Sequence, residues 1–473
     1  MIHPNVIAER IEQIPVGRFH RRFISLVSLG GWFDFYDIYM MAYIGAALQQ
    51  SGFLTLHQFT NVIAAGFFGM FTGTILFGMG SDRMGRRSAF VAMLLIYSLF
   101  TLAGAFAPSA GWLIALRFLA GIGIGAELVV IDTYVSEMVP NSARGRYVAI
   151  TQTVGFTAVP VVAIFVRLLV PTHYMVPGWR WVMIIGSIGA ALAWYFRRSL
   201  PESPRWLESR GRHAEAEQVL AQLEANSHAG ARERSAESQV ASGDRSLESR
   251  NETPLQATGS AGGANRTVKA ERASFAELWR PPYRRRTIML VIFHALQTIG
   301  YYGFANWAPT FLLHRGVSLL HSLEYTLLIA LVSPLGPASA VLTSDKLERK
   351  WTIVAMALLI AAFGLGFAFW TVPTLIVLSG ALVTLCSNWF SAVLHAYQSE
   401  LFPTRMRATG VGFTYSWSRL SASFSSLLIG TVLVRAGVGG VFTVLAAAMV
   451  GVALVIGIFG PRTNRIALEQ LAR

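Results

Sequence analysis

The sequence predicts an all-α membrane protein: twelve transmembrane helices arranged as two pseudo-symmetric six-helix halves. Three observations predict it. The 473 residues are 53% hydrophobic and only 14% charged, more apolar than a soluble domain needs for its core. The apolar residues fall in twelve bilayer-length stretches, and two distant loop motifs recur at one common offset.

The twelve stretches are each about 18 to 27 residues long, enough at 1.5 Å per residue to cross a hydrocarbon core about 30 Å thick. In the first half they are 23–48, 59–80, 88–107, 110–137, 146–170 and 179–197; in the second, 286–313, 322–344, 352–370, 373–399, 408–434 and 438–460. The opening segment MIHPNVIAERIEQIPVGRFHRRF is polar and basic. It lacks a short apolar core with a small-residue cleavage site, so span one is expected to be retained.

The net charge of +14 raises a nucleic-acid reading, which the placement of the arginines removes. They cluster at every second junction, as at Arg83, Arg86 and Arg87, Arg144 and Arg146, Arg284 to Arg286, and Arg405 and Arg407. That is the positive-inside pattern, so the basic loops and both termini are expected to be cytoplasmic. The single cysteine, Cys386, excludes a disulfide framework and a cysteine metal site. No phosphate-binding loop, metal-ligand helix or nucleophile constellation suggests an enzyme, and no metal or cofactor is expected.

The chain divides into an N-terminal half (1–200), a cytoplasmic insert (201–284) and a C-terminal half (285–473). Within the insert, 204–224 has helical spacing of apolar residues and predicts short amphipathic helices. Residues 226–270 are rich in small and polar types and are expected to be disordered. SEMVPNSARGR at 136 matches SELFPTRMRATG at 399, an offset of 263 (399 minus 136), and SDRMGRR at 81 matches SDKLERK at 344 with the same offset. Two motifs in one register indicate duplication of a six-helix unit, an architecture in which secondary transporters bind at the midplane between halves.

Charged groups inside the spans are the candidate functional residues, because each costs a few kcal/mol to insert. Asp34 and Asp37 in GWFDFYDIYMM map onto Gln297 and Gly300, so neither acid is repeated. Burial favours the neutral form of a carboxylate and makes either acid a candidate reversible proton carrier. Arg117 in span four can meet span one at similar depth; a static ion pair that fixes helix packing is the alternative. Arg419 in span eleven maps onto Phe156, and its guanidinium suits bidentate binding of a carboxylate. The alternative is a pair with an acid of span one or four.

Aromatic residues including Phe35, Phe156, Tyr301, Tyr302, Trp389 and Tyr415 are candidates to wall a flat cavity, though many rings in such spans are core or interfacial anchors. Gln152 and Gln297 are candidate polar contacts, and His395 a ligand contact or proton relay. Glu127 and Asp132 stay ambiguous. A separate class lies at helix ends: Asp82, Arg86, Arg87, Glu137 and Arg144, with Asp345, Glu400 and Arg407 in the second half. Charge pairs there suit gating, tuning the inward–outward equilibrium.

GMGSDRMGRR at 78, RFLAGIGIGAE at 117, YVSEMVPNSARG at 134 and PESPRWL at 201 resemble the marks of a major facilitator superfamily transporter. The resemblance covers nearly the whole chain outside the insert and points to the branch of sugar porters, organic ion transporters, and niacin and aromatic-acid proton symporters. It implies that Asp37 stands where sugar porters keep their proton-site aspartate, paired with Arg117 in span four, with Asp34 as a nearby second acid. Sugar porters carry a tryptophan where this chain has His395. The two acids of span one, and AYQSELFPTRMRATGVG after span ten, look more like the aromatic-acid and organic-ion transporters.

The resemblance implies a monomer in the cell inner (plasma) membrane, importing a small organic anion by alternating access. The substrate expected is an aromatic or other carboxylate such as nicotinate, with the proton gradient as energy source and the lipid bilayer as surroundings. A sugar:proton symporter and a proton-driven multidrug or metabolite exporter stay open, as does a transport-dead receptor using the insert as its output.

Overall fold

In the computed structural model, residues 6–125, 127–197, 200–225, 275–343, 347–402 and 406–463 are described. Their architecture is helical throughout except for a two-residue antiparallel ladder, β1 (His173–Tyr174) with β2 (Val176–Pro177). The first half begins with a short α1 (Val6–Gln13). It continues through α2 (Arg18–Gln50), α3 (Leu56–Met84), α4 (Arg86–Ala105), α5 (Ala110–Gly125), α6 (Glu127–Met138), α7 (Asn141–Phe156), α8 (Ala158–Leu169) and α9 (Gly178–Arg197). The insert gives α10 (Pro204–Ser209) and α11 (213–225), as its apolar spacing predicts. The expected disorder of 226–270 lies outside the described residues.

The second half comprises α12 (Tyr283–Ala305), α13 (Ala308–His314), α14 (Leu319–Ala330), α15 (Leu335–Thr343), α16 (Arg349–Phe369), α17 (Pro373–Glu400) and α18 (Arg407–Phe459). The last helix contains spans eleven and twelve, separated at Gly437, whose φ of 62° is a left-handed conformation that glycine tolerates. Helices occupy all twelve spans, and among the described residues three of the spans are interrupted. Pro160 and Pro309 have no N–H to bond the carbonyls four residues back, and the breaks fall at Thr157 and Asn306. Span eight breaks at 331–334. Pro337 leaves the Ser333 carbonyl without its helical donor, and Asn388 Nδ2 supplies one at 3.1 Å.

Packing within the first half relies on small residues. A Cβ on Gly125 would stand 1.9 Å from the Met70 carbonyl oxygen, so α5 approaches α3 backbone to backbone. Between the halves, Gln49 Nε2 donates to Thr310 Oγ1 (3.2 Å), Ser423 Oγ to the Ala64 carbonyl (2.9 Å) and Arg167 to Glu324 (2.6 Å). Phe59 packs edge-on to Trp307 at 5.2 Å. Nearer the midplane the Tyr39 and Tyr301 hydroxyls meet at 3.3 Å. These bonds lie at the midplane or toward the end away from the basic loops. The halves are therefore closed at that end, while on the basic side α7 of the first half packs against α15 of the second.

Candidate functional site

A cavity with about 640 Å³ of empty space, its mouth included, lies between the halves at mid-depth. From the first half come Asp34, Phe35 and Ile38 of α2, Ile124 of α5, and Gln152 and Phe156 of α7; from the second, Gln297, Tyr301 and Tyr302 of α12, Ser391, Leu394 and His395 of α17, and Tyr415, Ser418 and Arg419 of α18. Of the candidate ligand contacts, Arg419, Gln152, Gln297, Tyr301, Tyr302, His395, Tyr415, Phe35 and Phe156 all reach this wall. Trp389 does not. It is half-buried against the hydrophobic core, so its place in the lining is corrected to one in the scaffold.

Arg419 is 3% exposed. One terminal nitrogen donates to the Tyr302 hydroxyl at 2.6 Å, and the guanidinium lies 5.8 Å from the Tyr302 ring centroid and 5.5 Å from that of Tyr415. Its Nε meets no acceptor, and among the described residues no carboxylate oxygen comes within 4.0 Å. A buried cation with donor capacity left over, facing a cavity, has the chemistry of an anion site. Phe35 and Phe156 stack obliquely on the first-half wall with centroids 4.5 Å apart, and Phe67 backs Tyr302 at 4.7 Å. The cavity thus offers flat apolar surfaces around one guanidinium.

The two aspartates of α2, three residues apart, have different surroundings. Asp37 is fully buried and does not reach the cavity. Arg117 grips it through two parallel bonds, Nη1 to Oδ1 at 2.8 Å and Nη2 to Oδ2 at 2.6 Å, and Thr101 Oγ1 donates to Oδ1 at 3.2 Å. Asp34, 1% exposed, lines the cavity. The first acid is therefore on the ligand side, and the second belongs to a desolvated pair behind it.

At the basic end, Arg86 and Glu137 pair at 3.1 Å, and Arg349 and Glu400, their counterparts 263 residues on, pair at the same 3.1 Å. The duplicated unit thus keeps the same brace, from the start of a span to the end of the next, inside each half. Glu202 of PESPRWL accepts from the backbone N–H of Arg86 (2.8 Å) and Arg87 (3.1 Å), capping α4 where the helix dipole favours an anion. The side chains of Asp82, Arg144, Asp345 and Arg407, and those of Glu127 and Asp132, lie outside what is described.

Sequence reasoning passed over three further polar residues: Thr101, which bonds Asp37, and His294 and Gln398, which bond one another and then His395. The available signal was their spacing. His294 precedes Gln297 by three and Gln398 follows His395 by three, one helix turn from the residues that were singled out.

Twelve spans in two related halves, around a midplane cavity that carries a lone guanidinium, define a membrane transporter of the major facilitator superfamily, not an enzyme. Residues 23–473 match the family described as "Sugar (and other) transporter", and the chain belongs to it. It is 32% identical to YyaJ of Bacillus subtilis over 97% of this chain and 96% of that protein. It is 31% identical to the niacin transporter NiaP of Acinetobacter baylyi (98% and 99%) and 27% identical to a gallate transporter of Pseudomonas putida (96% and 94%). Among solved structures, the proton:xylose symporter XylE superimposes with a TM-score of 0.71 at 19% identity, covering 96% of this chain and 98% of that one. At that identity the likeness speaks to the fold.

Proposed function

We propose that this chain is a proton-coupled importer of a small aromatic carboxylate, nicotinate being the type, working by alternating access across a bacterial inner membrane. One observation carries the reading: Arg419, buried, held by Tyr302 and left with an unused Nε donor, faces a ring-walled cavity. A carboxylate there takes charge-assisted bonds from a fork whose geometry it matches, while its ring lies against Phe35, Phe156 and Tyr415. The niacin and gallate transporters among its relatives favour the same substrate class.

Proton coupling rests on the acids of α2. Asp34 is the carboxylate that a proton from the cavity meets first, and Asp37 is the one whose protonation dissolves the pair with Arg117. With the basic loops cytoplasmic, Gln49–Thr310 and Arg167–Glu324 close the outer end of the form described. Arg86–Glu137 and Arg349–Glu400 then act as gating braces of the cytoplasmic side.

The test is uptake into proteoliposomes under an inward proton gradient. Radiolabelled nicotinate, 4-hydroxybenzoate, a hexose and an organic cation are offered, with Arg419→Ala alongside. Accumulation of an aromatic acid that the variant abolishes supports the reading. Accumulation of the hexose or the cation, or an unaffected variant, removes it.

A further inference from the structure

We propose that His294 and Gln398 form a hydrogen-bonded wire that fixes the tautomer of His395, so that its Nε2–H stands as a second donor beside Arg419. This deepens the carboxylate reading, on which its functional consequence rests; the tautomer itself does not depend on that reading.

The chain of contacts runs from the core of the second half to the cavity. His294, fully buried on α12, has Nε2 3.1 Å from Gln398 Oε1 on α17. The amide nitrogen of Gln398, itself 3% exposed, lies 3.2 Å from His395 Nδ1 one turn earlier on α17. The Tyr415 ring sets both imidazole planes, standing edge-on to His294 and tilted on His395 with centroids 5.5 Å away in each case.

The direction of the wire is decided at its buried end. His294 Nδ1 has no hydrogen-bond partner. A neutral imidazole carries one N–H, and an N–H buried without an acceptor is the costlier orphan, whereas an unmatched lone pair is tolerated more often. The proton of His294 therefore sits on Nε2 and donates to Gln398 Oε1. That turns the Gln398 NH₂ toward His395, and Nδ1 of His395 must accept. Its one proton is then on Nε2, the nitrogen that remains for the cavity His395 lines.

A carboxylate seated on Arg419 has lone pairs to spare and takes this second donor. A carboxamide of the same ring system presents an NH₂ that finds no acceptor at His395 and is disfavoured. His294 and Gln398 are thus positioning residues: neither reaches the cavity, and both act through the polarity they impose.

Two measurements test the wire. The first is nitrogen NMR of histidine-labelled protein in nanodiscs without ligand, with His395→Gln and His294→Phe each deleting one pair of signals for assignment. A protonated Nε2 and a bare Nδ1 on His395 are expected; the reverse pattern overturns the proposal whatever the substrate. The second is the ratio of nicotinate to nicotinamide binding in wild type and in His294→Phe, which frees the amide to turn over. Losing one donor to the carboxylate should weaken nicotinate about tenfold, with nicotinamide unchanged or improved. An equal loss of both ligands would mean a merely structural role and also overturns it. If the tautomer is as expected but neither wild type nor variant binds nicotinate, the wire stands and the carboxylate reading fails.

Discussion

Replacing Asp37 by asparagine tests whether this acid carries the proton or only braces the scaffold. In the wild type the carboxylate meets Arg117 through bonds of 2.8 and 2.6 Å with Thr101 behind it, and neither charge touches solvent to any extent. Removing the anion leaves Arg117 buried without its counter-ion, a change that costs about 3–5 kcal/mol in comparable interiors. The amide oxygen can keep one of the bonds, so the lower part of that range is expected. Adding Arg117→Gln removes the stranded cation and should recover most of the loss in a thermal-unfolding assay. Function should not recover. An inward gradient of one pH unit supplies about 1.4 kcal/mol per proton, or roughly tenfold accumulation of substrate at one proton each. Asp37→Asn and the double variant should both level at the external concentration while exchanging labelled for unlabelled substrate in counterflow. Tenfold accumulation by Asp37→Asn would refute the carrier role, and a double variant no more stable than the single one would refute the charge-pair energetics.

Three other perturbations follow from the same geometry. Arg419→Lys keeps the charge but loses the planar fork and the contact pattern with Tyr302, so nicotinate affinity should fall about 10- to 100-fold in direct binding. Gly430→Leu should block closure of the end away from the basic loops, because even a Cβ at 430 would stand 2.4 Å from Thr60 Oγ1. A reporter Thr310→Cys, in a Cys386→Ser background, should then label faster than without the leucine. Arg86→Ala breaks the pair with Glu137 at 3.1 Å; transport should drop several-fold while ligand affinity stays within about twofold, since the brace lies at a helix end and not in the cavity.

Span number and register were legible because hydropathy over twenty residues and a repeated motif are both robust to local detail. The interruptions at Thr157, Asn306 and 331–334 were not, since each lies inside an apolar run that hydropathy reads as continuous. Their signal was proline: Pro160, Pro309 and Pro337 each remove one backbone donor. Asp34 and Asp37 were recognised as exceptional, but a three-residue spacing says only that they share roughly one face. It takes the neighbouring helices to put one on the cavity and the other on Arg117. His294 and Gln398 escaped because each is an ordinary satisfied-looking polar residue in sequence, and only the fold brings α12 against α17.

The 263-residue register also explains how one duplicated unit makes an asymmetric site, and it leads to a last prediction. Four register pairs line the cavity from both halves: Asp34 with Gln297, Ile38 with Tyr301, Gln152 with Tyr415, and Phe156 with Arg419. The pseudo-symmetry has kept the positions and changed the chemistry, leaving acids in the first half and the unsatisfied guanidinium in the second. Among the described midplane residues the acids and guanidinium groups are Asp34, Asp37, Arg117 and Arg419, whose charges cancel when both acids are ionised. A bound carboxylate makes the sum negative, and carrying an uncompensated charge through a desolvated, occluded state costs several kcal/mol. A proton on either aspartate restores neutrality, so anion and proton should cross together and the loaded carrier should move no net charge. Clamping the membrane potential with potassium and valinomycin should therefore leave the initial rate of nicotinate uptake at fixed pH gradient unchanged. A rate that climbs with an inside-negative potential would mean that more than one proton accompanies each anion, and that the four-charge sum is not what sets the stoichiometry.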